Sequence, residues 1–398
     1  MLTTLIYRSH ISDFVPVKTL PAMVEAASLL NASHDVTGIL LFNGTHFFQL
    51  LEGPEEGVLA IYQRICNDPR HHNVVELLRD FAPSRRFGNA GMALFDLREH
   101  HPSSVLEAVL DKGTSRYRLT YDDRALKFLR TFVESREKEN YYEVQSADLW
   151  EFIAEQPDDE AYLTASIPKE IALHPVVDPL ARQITALTVS ALRVEEHGQA
   201  GNELYQADFA ALKQALATAG KICPPDTTLH VSLLPMTLVV IPDAVQAIVA
   251  EIKAAGLVPE QVMIGVSETR VISQLDTFSD AVRALKAAGI SLSLDNFGSG
   301  PAGLSLLTRI QPDRISIDAS ITSNVHHSGP KQAVVQAIVR CCSALEISVM
   351  VTGITRAEEW MWLEATGIIH FQGALFSADH AHSLLAVAWP EYREQPEA

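Results

Sequence analysis

The chain holds 398 residues, of which 47% are hydrophobic and 20% charged, and its net charge is −18. That is long for one hydrophobic core, so two domains are expected. No apolar run approaches the roughly 20 residues of a membrane span, the start lacks the basic residues of a signal peptide, and the cytoplasm is the expected compartment. Residues 1–97 carry 7 basic and 10 acidic side chains, so most of the negative charge falls on the rest, which argues against direct binding to nucleic acid.

The first 97 residues read as a strand (Leu2 to Ser9), a helix (Val17 to Asn31) and two hairpin strands (Val36 to Phe42, His46 to Leu51) around a favoured Asn43-Gly44 turn. A helix (Glu55 to Asn67) and two strands (Val74 to Phe81, Gly91 to Phe95) follow. This βαββαββ order suits an α+β sandwich of ferredoxin-like type. Beyond it, Ser104 with Glu107 forms a capping-box pattern, and Ala125, Leu129, Phe132 and Val133 make an apolar stripe on a second helix. From about Arg136 to Ile167 the sequence is polar and irregular and reads as a linker, so residues 98–166 are expected to be a helical relay and linker. Eight strand-like runs then alternate with helical segments, near residues 173, 184, 229, 262, 291, 314, 348 and 370. They suit a TIM-like (β/α)8 barrel over residues 167–390, with an open doubly wound sheet as the other candidate and 391–398 as a flexible tail.

One residue breaks the hydrophobic pattern of the first domain. Gln49 stands among Phe47, Phe48, Leu50 and Leu51, and strand alternation turns it inward with Phe47 and Leu51. A buried amide without partners costs about 1 to 3 kcal/mol, so interior hydrogen bonds are expected. Asn31 ends the stripe Leu20, Val24, Ala27 of the first helix, and Tyr7 shares a strand face with Leu5. By spacing alone the three polar groups are either a satisfied core network or a ligand site, and the network is the default.

The motifs TTLIYRS, NASHDVTGILLF, FFQLLEGP and DPRH, in this order, resemble the BLUF family of blue-light sensors that use FAD. The resemblance implies a flavin ring between the two helices, with Tyr7 and Gln49 near its reactive edge and Asn31 on its polar rim. It also implies light-driven electron and proton transfer from Tyr7, with the Gln49 amide left rotated or tautomerised. An amide has a donor end and an acceptor end, so reorienting it swaps the hydrogen bonds it offers. Met92 matches the family position that senses the change, and Arg70 and His71 match positions near the flavin.

In the second half, Gly298, Gly300 and Gly303 stand in the order GxGxxG, a weak sign of a nucleotide-binding turn when alone and interrupted by Pro301. HPVVDP, LLPMTL, SLDNFGSGPAGLSLL, QPDRISID and FQGALF instead resemble the EAL family of cyclic di-GMP phosphodiesterases, TIM-like barrels that bind two metal ions at the C-terminal strand ends. By that resemblance the family's Glu-Ala-Leu falls on Thr188, Val189 and Ser190, and its metal-binding Asn on Ser232. Gly265 and Thr352 stand for Glu, Asn296 for the second Asp of a pair, and Ser316 for a Lys, whereas Glu268, Asp295, Asp318 and Gln372 are kept. Hard divalent cations need clustered carboxylates. No metal and no catalytic residue are therefore expected, with a light-activated cyclic di-GMP phosphodiesterase as the alternative.

Over the whole chain the resemblance is to enterobacterial photoreceptors that join the two domains. It implies that the barrel binds a protein partner, a MerR-type DNA-binding repressor, which light causes it to antagonise. A light-switched homodimer is the blander alternative.

Overall fold

The computed structural model describes residues 2–82, 85–88, 91–99, 101–112, 124–134, 144–155, 171–191, 201–223, 227–270, 272–377 and 386–393. They fall into two compact units, Met1–Val144 with Asn324–Ala333, and Gln145–Ser323 with Val334–Ala398.

In the first unit, β1 (Leu2–Ile11), β2 (Thr37–Phe42), β3 (His46–Pro54), β4 (His71–Ala82) and β5 (Met92–Asp96) form one sheet in the order β4-β1-β3-β2-β5. The first four pair antiparallel in ferredoxin-like order, and β5 joins parallel to β2. The two-residue period of a strand sorts the side chains into two layers. Leu5, Tyr7 and Leu51, with Phe47 and Met92 further along, face α1 (Leu20–Ser33) and α2 (Glu55–Cys66). Ile6, Phe48 and Leu50 face the opposite way, against α3 (Pro102–Asp111) and α4 (Arg124–Glu134). The stripe Ala125, Leu129, Phe132 and Val133 is buried there, with Phe132 stacked on Phe48 at 5.0 Å.

Two local expectations change. The hairpin does not use an Asn-Gly turn with both residues left-handed: only Gly44 takes a positive φ, of 111°. Asn43 instead serves through its side chain, whose Oδ1 accepts from the N–H groups of Thr45 (3.1 Å) and His46 (2.8 Å). The capping-box pattern at Ser104 also fails, because α3 begins at Pro102, two residues earlier. Proline suits the first helical position, where its missing N–H costs nothing.

In the second unit, β7 (Ile171–Asp178), β8 (Gln183–Ala191), β9 (Thr228–Ser232), β10 (Val262–Ser267), β11 (Ser291–Phe297), β12 (Arg314–Ile317), β13 (Ser348–Val351) and β14 (His370–Phe371) close into a barrel, which decides against the open sheet. Strands β8 to β14 run parallel, whereas β7 is antiparallel to both neighbours. The reason is the connection: β7 and β8 are joined by residues 179–182 alone, and a turn that short joins only antiparallel strands.

The stretch read as linker contains a further strand, β6 (Trp150–Glu155), paired antiparallel with β15 (Val387–Tyr392). Glu391 and Tyr392, read as the start of a flexible tail, lie opposite Glu151 and Trp150 in that ribbon. Residues 156–170 and 394–398 lie outside the described residues.

Candidate functional site

The pairing of β1 with β3 sets Tyr7 directly opposite Gln49, and β5 brings Met92 alongside. Tyr7, Asn31 and Gln49 are all at most 2% exposed. The Tyr7 hydroxyl donates to Gln49 Oε1, and Gln49 Nε2 donates to the Met92 sulfur at 3.0 Å, a sulfur that Asn31 Nδ2 also approaches at 3.7 Å. Burial, with smaller contributions from Cys66 and Asp68, drives the Tyr7 pKa upward, so the phenol keeps its proton. That proton fixes Gln49: its carbonyl end faces Tyr7, and its amino end is left with a thioether, a weak acceptor that cannot donate. One end of the amide is firmly held and the other loosely.

Above this row lies a cleft of about 210 Å³ between α1 and α2, with Leu20, Ala27 and Ile65 on its walls. Asn31, Gln49 and Met92 line it, and so do Arg70 and His71. Arg70 Nε is bound to Asp68 at 2.9 Å, and His71 Nδ1 is 2.9 Å from Ser9 Oγ. Burial lowers the His71 pKa to about 4, against the opposing pull of Asp68, so the ring is neutral. Apolar walls for a flat ring, two amides for its heteroatoms and a guanidinium for a charged tail are a donor set that fits a flavin nucleotide.

A second network here went unread in the sequence. Glu52, 1% exposed, accepts from the backbone N–H groups of Arg86 (2.7 Å) and Phe87 (3.0 Å), and its other oxygen meets Arg86 Nη1 (3.0 Å) and Thr4 Oγ1 (3.1 Å). It ties β3, three residues beyond Gln49, to the segment that leads into β5 and Met92. The signal was available, since a carboxylate in an apolar strand demands partners as much as an amide does.

In the barrel, every residue carried over from the EAL pattern lies on a strand or just beyond its C-terminal end. Ser232, Gly265, Asp295 and Asn296 line one cleft of about 450 Å³, whereas Thr188, Glu268, Ser316, Asp318, Thr352 and Gln372 do not. Glu268 is buried under the glycine loop, where its carboxylate accepts from Gly298 N (2.6 Å) and Gly303 N (2.7 Å). The GxGxxG order thus serves a carboxylate of the chain itself: a Cβ on Gly303 would stand 2.6 Å from Glu268 Oε2. Asn296 joins Ser267 (3.0 Å) to Asp318 (3.1 Å), Asp318 caps the N–H of Ser320 (2.9 Å), and Gln372 bonds the His174 carbonyl (3.2 Å). Among the described residues, no group of three or more His, Cys, Asp or Glu side chains is placed to hold a metal ion. A site for two divalent cations does not fit the residues present. No helix among the described residues is long and apolar enough to cross a membrane.

Residues 2–93 match the family of sensors of blue light using FAD (BLUF), and residues 170–379 match the EAL domain family. The chain is 52% identical, over 98% of its length and all of the relative's, to the blue light- and temperature-regulated antirepressor BluF of Escherichia coli K12. Its structure is similar to that of Klebsiella pneumoniae BlrP1 in complex with manganese and cyclic di-GMP, at 38% identity and a TM-score of 0.87, over 99% of this chain and all of BlrP1. It is also similar to BlrP1 solved with FMN and cyclic di-GMP and no metal ions, at 34% identity and a TM-score of 0.82, with the same coverage.

Proposed function

The chain belongs to the family that joins a sensor of blue light using FAD to an EAL domain, and on that premise we propose that it is a light-controlled interaction protein. The first unit changes state in blue light, and the barrel, without catalysis, binds a MerR-type DNA-binding repressor in the cytoplasm. The observation that carries this reading is the Gln49 amide held between Tyr7 and Met92.

The BLUF domain uses FAD, which Tyr7, Asn31, Gln49, Arg70 and His71 would hold and which would supply the absorption of blue light and an acceptor for an electron. Tyr7 keeps its proton directed at Gln49 Oε1 in the resting state. Turned end for end, Gln49 presents a carbonyl to a thioether that cannot donate, so the reoriented amide requires β5 to adjust. β5 would pass this on, a reading supported by Met92 and Leu94 packing on the cleft side and Ala93 and Phe95 on the α3 and α4 side. One or two rearranged hydrogen bonds are worth about 0.5 to 1.5 kcal/mol each. A full switch needs about 5.5 kcal/mol, so the response is a partial shift of population.

Non-catalytic binding by the barrel is supported by Thr188, Gly265 and Thr352 at the positions of family carboxylates and by similarity to the antirepressor BluF. The test illuminates the purified chain, follows its absorption, and measures binding of a MerR-type repressor in light and dark. A reversible red shift with light-dependent binding is expected, and a repressor that binds in neither state removes the partner assignment. The retention of Glu268, Asp295, Asp318 and Gln372 favours a second reading, a light-activated cyclic di-GMP phosphodiesterase. Linear product from the lit protein with magnesium or manganese would establish it.

A further inference from the structure

His230 was not singled out in the sequence, where it stands in the strand run LHVS. It is 4% exposed, and its ring lies between two positions of the EAL metal site. Nδ1 is 3.5 Å from Thr188 Oγ1, and Nε2 is 3.2 Å from Asp295 Oδ2, at ion-pair range though off the line of a hydrogen bond. The other oxygen of Asp295 accepts from Ser293 Oγ at 2.7 Å. Gly265 sits beside the pair. A Cβ at this position would stand 2.2 Å from both His230 Nε2 and Asp295 Oδ2, far inside van der Waals contact. The glycine is therefore more than a lost carboxylate, because the ring and Asp295 use the space that any side chain at 265 would enter. Burial works to raise the Asp295 pKa, but His230, Ser293 and Arg314 outweigh it and hold the carboxyl below its usual range.

We propose that His230 takes the place of the metal: its imidazole fills the space between Thr188, Gly265 and Asp295, so the barrel mouth is closed to divalent cations by occupancy as well as by loss of ligands. The inference rests on the reading that the barrel is not catalytic. Its consequence is specific. Restoring carboxylates at 188, 265 and 296 does not restore the metal site while the ring stays.

The test uses the full chain with FAD bound and manganese(II) alone as the probe, with free ion counted by electron paramagnetic resonance. The set Thr188→Glu, Gly265→Glu and Asn296→Asp is made in two backgrounds, His230 and His230→Ser. Manganese is expected to bind at least about tenfold more tightly in the second. Equal binding in the two backgrounds, with none in the unaltered chain, overturns the occupancy alone. Binding by the unaltered chain overturns both the occupancy and the non-catalytic reading. A melting cycle covers the case in which the multiple variants fail to fold. Gly265→Ala is expected to lower the melting temperature of the barrel in the His230 background and to cost much less with His230→Ser. Equal drops in both overturn the proposal.

Discussion

The cleft beside Gln49 and the barrel mouth both gather polar side chains, and they differ in where the hydrogen bonds of those side chains lead. In the cleft, Tyr7 bonds Gln49 and Gln49 bonds the Met92 thioether, so the row ends on its weakest acceptor, beside space for a ring. In the mouth, Glu268 is taken up by two backbone N–H groups, Asp318 by Ser320 and Asn296, and Asp295 by the Ser293 hydroxyl, with His230 at ion-pair range. A row that ends weakly can answer a ligand or a photon, whereas groups already bound within the barrel hold a shape.

The contrast is sharpest in the response to single substitutions, and all four tryptophans (Trp150, Trp360, Trp362, Trp389) lie in the second unit, so tryptophan and flavin signals report the two units separately. The largest effect is expected from Gln49→Leu: flavin stays bound and the light-induced red shift disappears, and a shift that persists would move the switch elsewhere. Next, Glu268→Ala removes two charge-assisted bonds to backbone N–H groups, the buried one of Gly303 and the part-buried one of Gly298, and is expected to cost the barrel about 3 kcal/mol in denaturant unfolding followed by tryptophan. The flavin spectrum should not change. An unaffected barrel would mean that the mouth is not a frame.

Acid is expected to separate the units. Burial above all lowers His10 to about 3 and His46 and His71 to about 4, all three in the first unit, whereas His370, at about 4, is the one such imidazole among the described residues of the second. Each stays neutral in the folded chain after the unfolded chain has taken its proton near pH 6.5. Its stability is complete above that value and is lost as pH falls toward 4. Asp295 and Asp318 have lowered pKa values, so their contribution is present above about 3.9 and is lost only below it. Flavin release should therefore precede the tryptophan transition on acidification, and the reverse order would contradict this assignment. The smallest effect is expected from Met92→Leu, a volume-conserving change worth less than about 1.5 kcal/mol. The spectral shift should survive while the light-dependent change in hydrogen exchange of α3 and α4 shrinks, and an unchanged exchange pattern would remove Met92 from the relay.

Much of this was legible because it is local. Alternation in β1 and β3 and the stripe of α4 each depend on residues a few positions apart, and Tyr7, Asn31 and Gln49 stand out because polar groups interrupt those stripes. What escaped depends on distant partners. Nothing in WEFIAE announces a strand, since its partner Val387–Tyr392 lies at the other end of the barrel segment. His230 reads as an ordinary polar residue in a short strand, and only closure of the barrel sets it between Thr188 and Asp295. Ser104 misled because Pro102 is the stronger start signal.

The β6 and β15 ribbon has a consequence for the order of events during synthesis. Domains fold from the N-terminus as the chain leaves the ribosome. Every strand of the first unit's sheet precedes residue 97, so that sheet can assemble early, whereas Trp150–Glu155 waits for residues 387–392 before it can pair. Nascent chains stalled within the barrel segment would thus carry an assembled first sheet beside an unpaired Trp150–Glu155, and the ribbon would close only as residues 387–392 emerge.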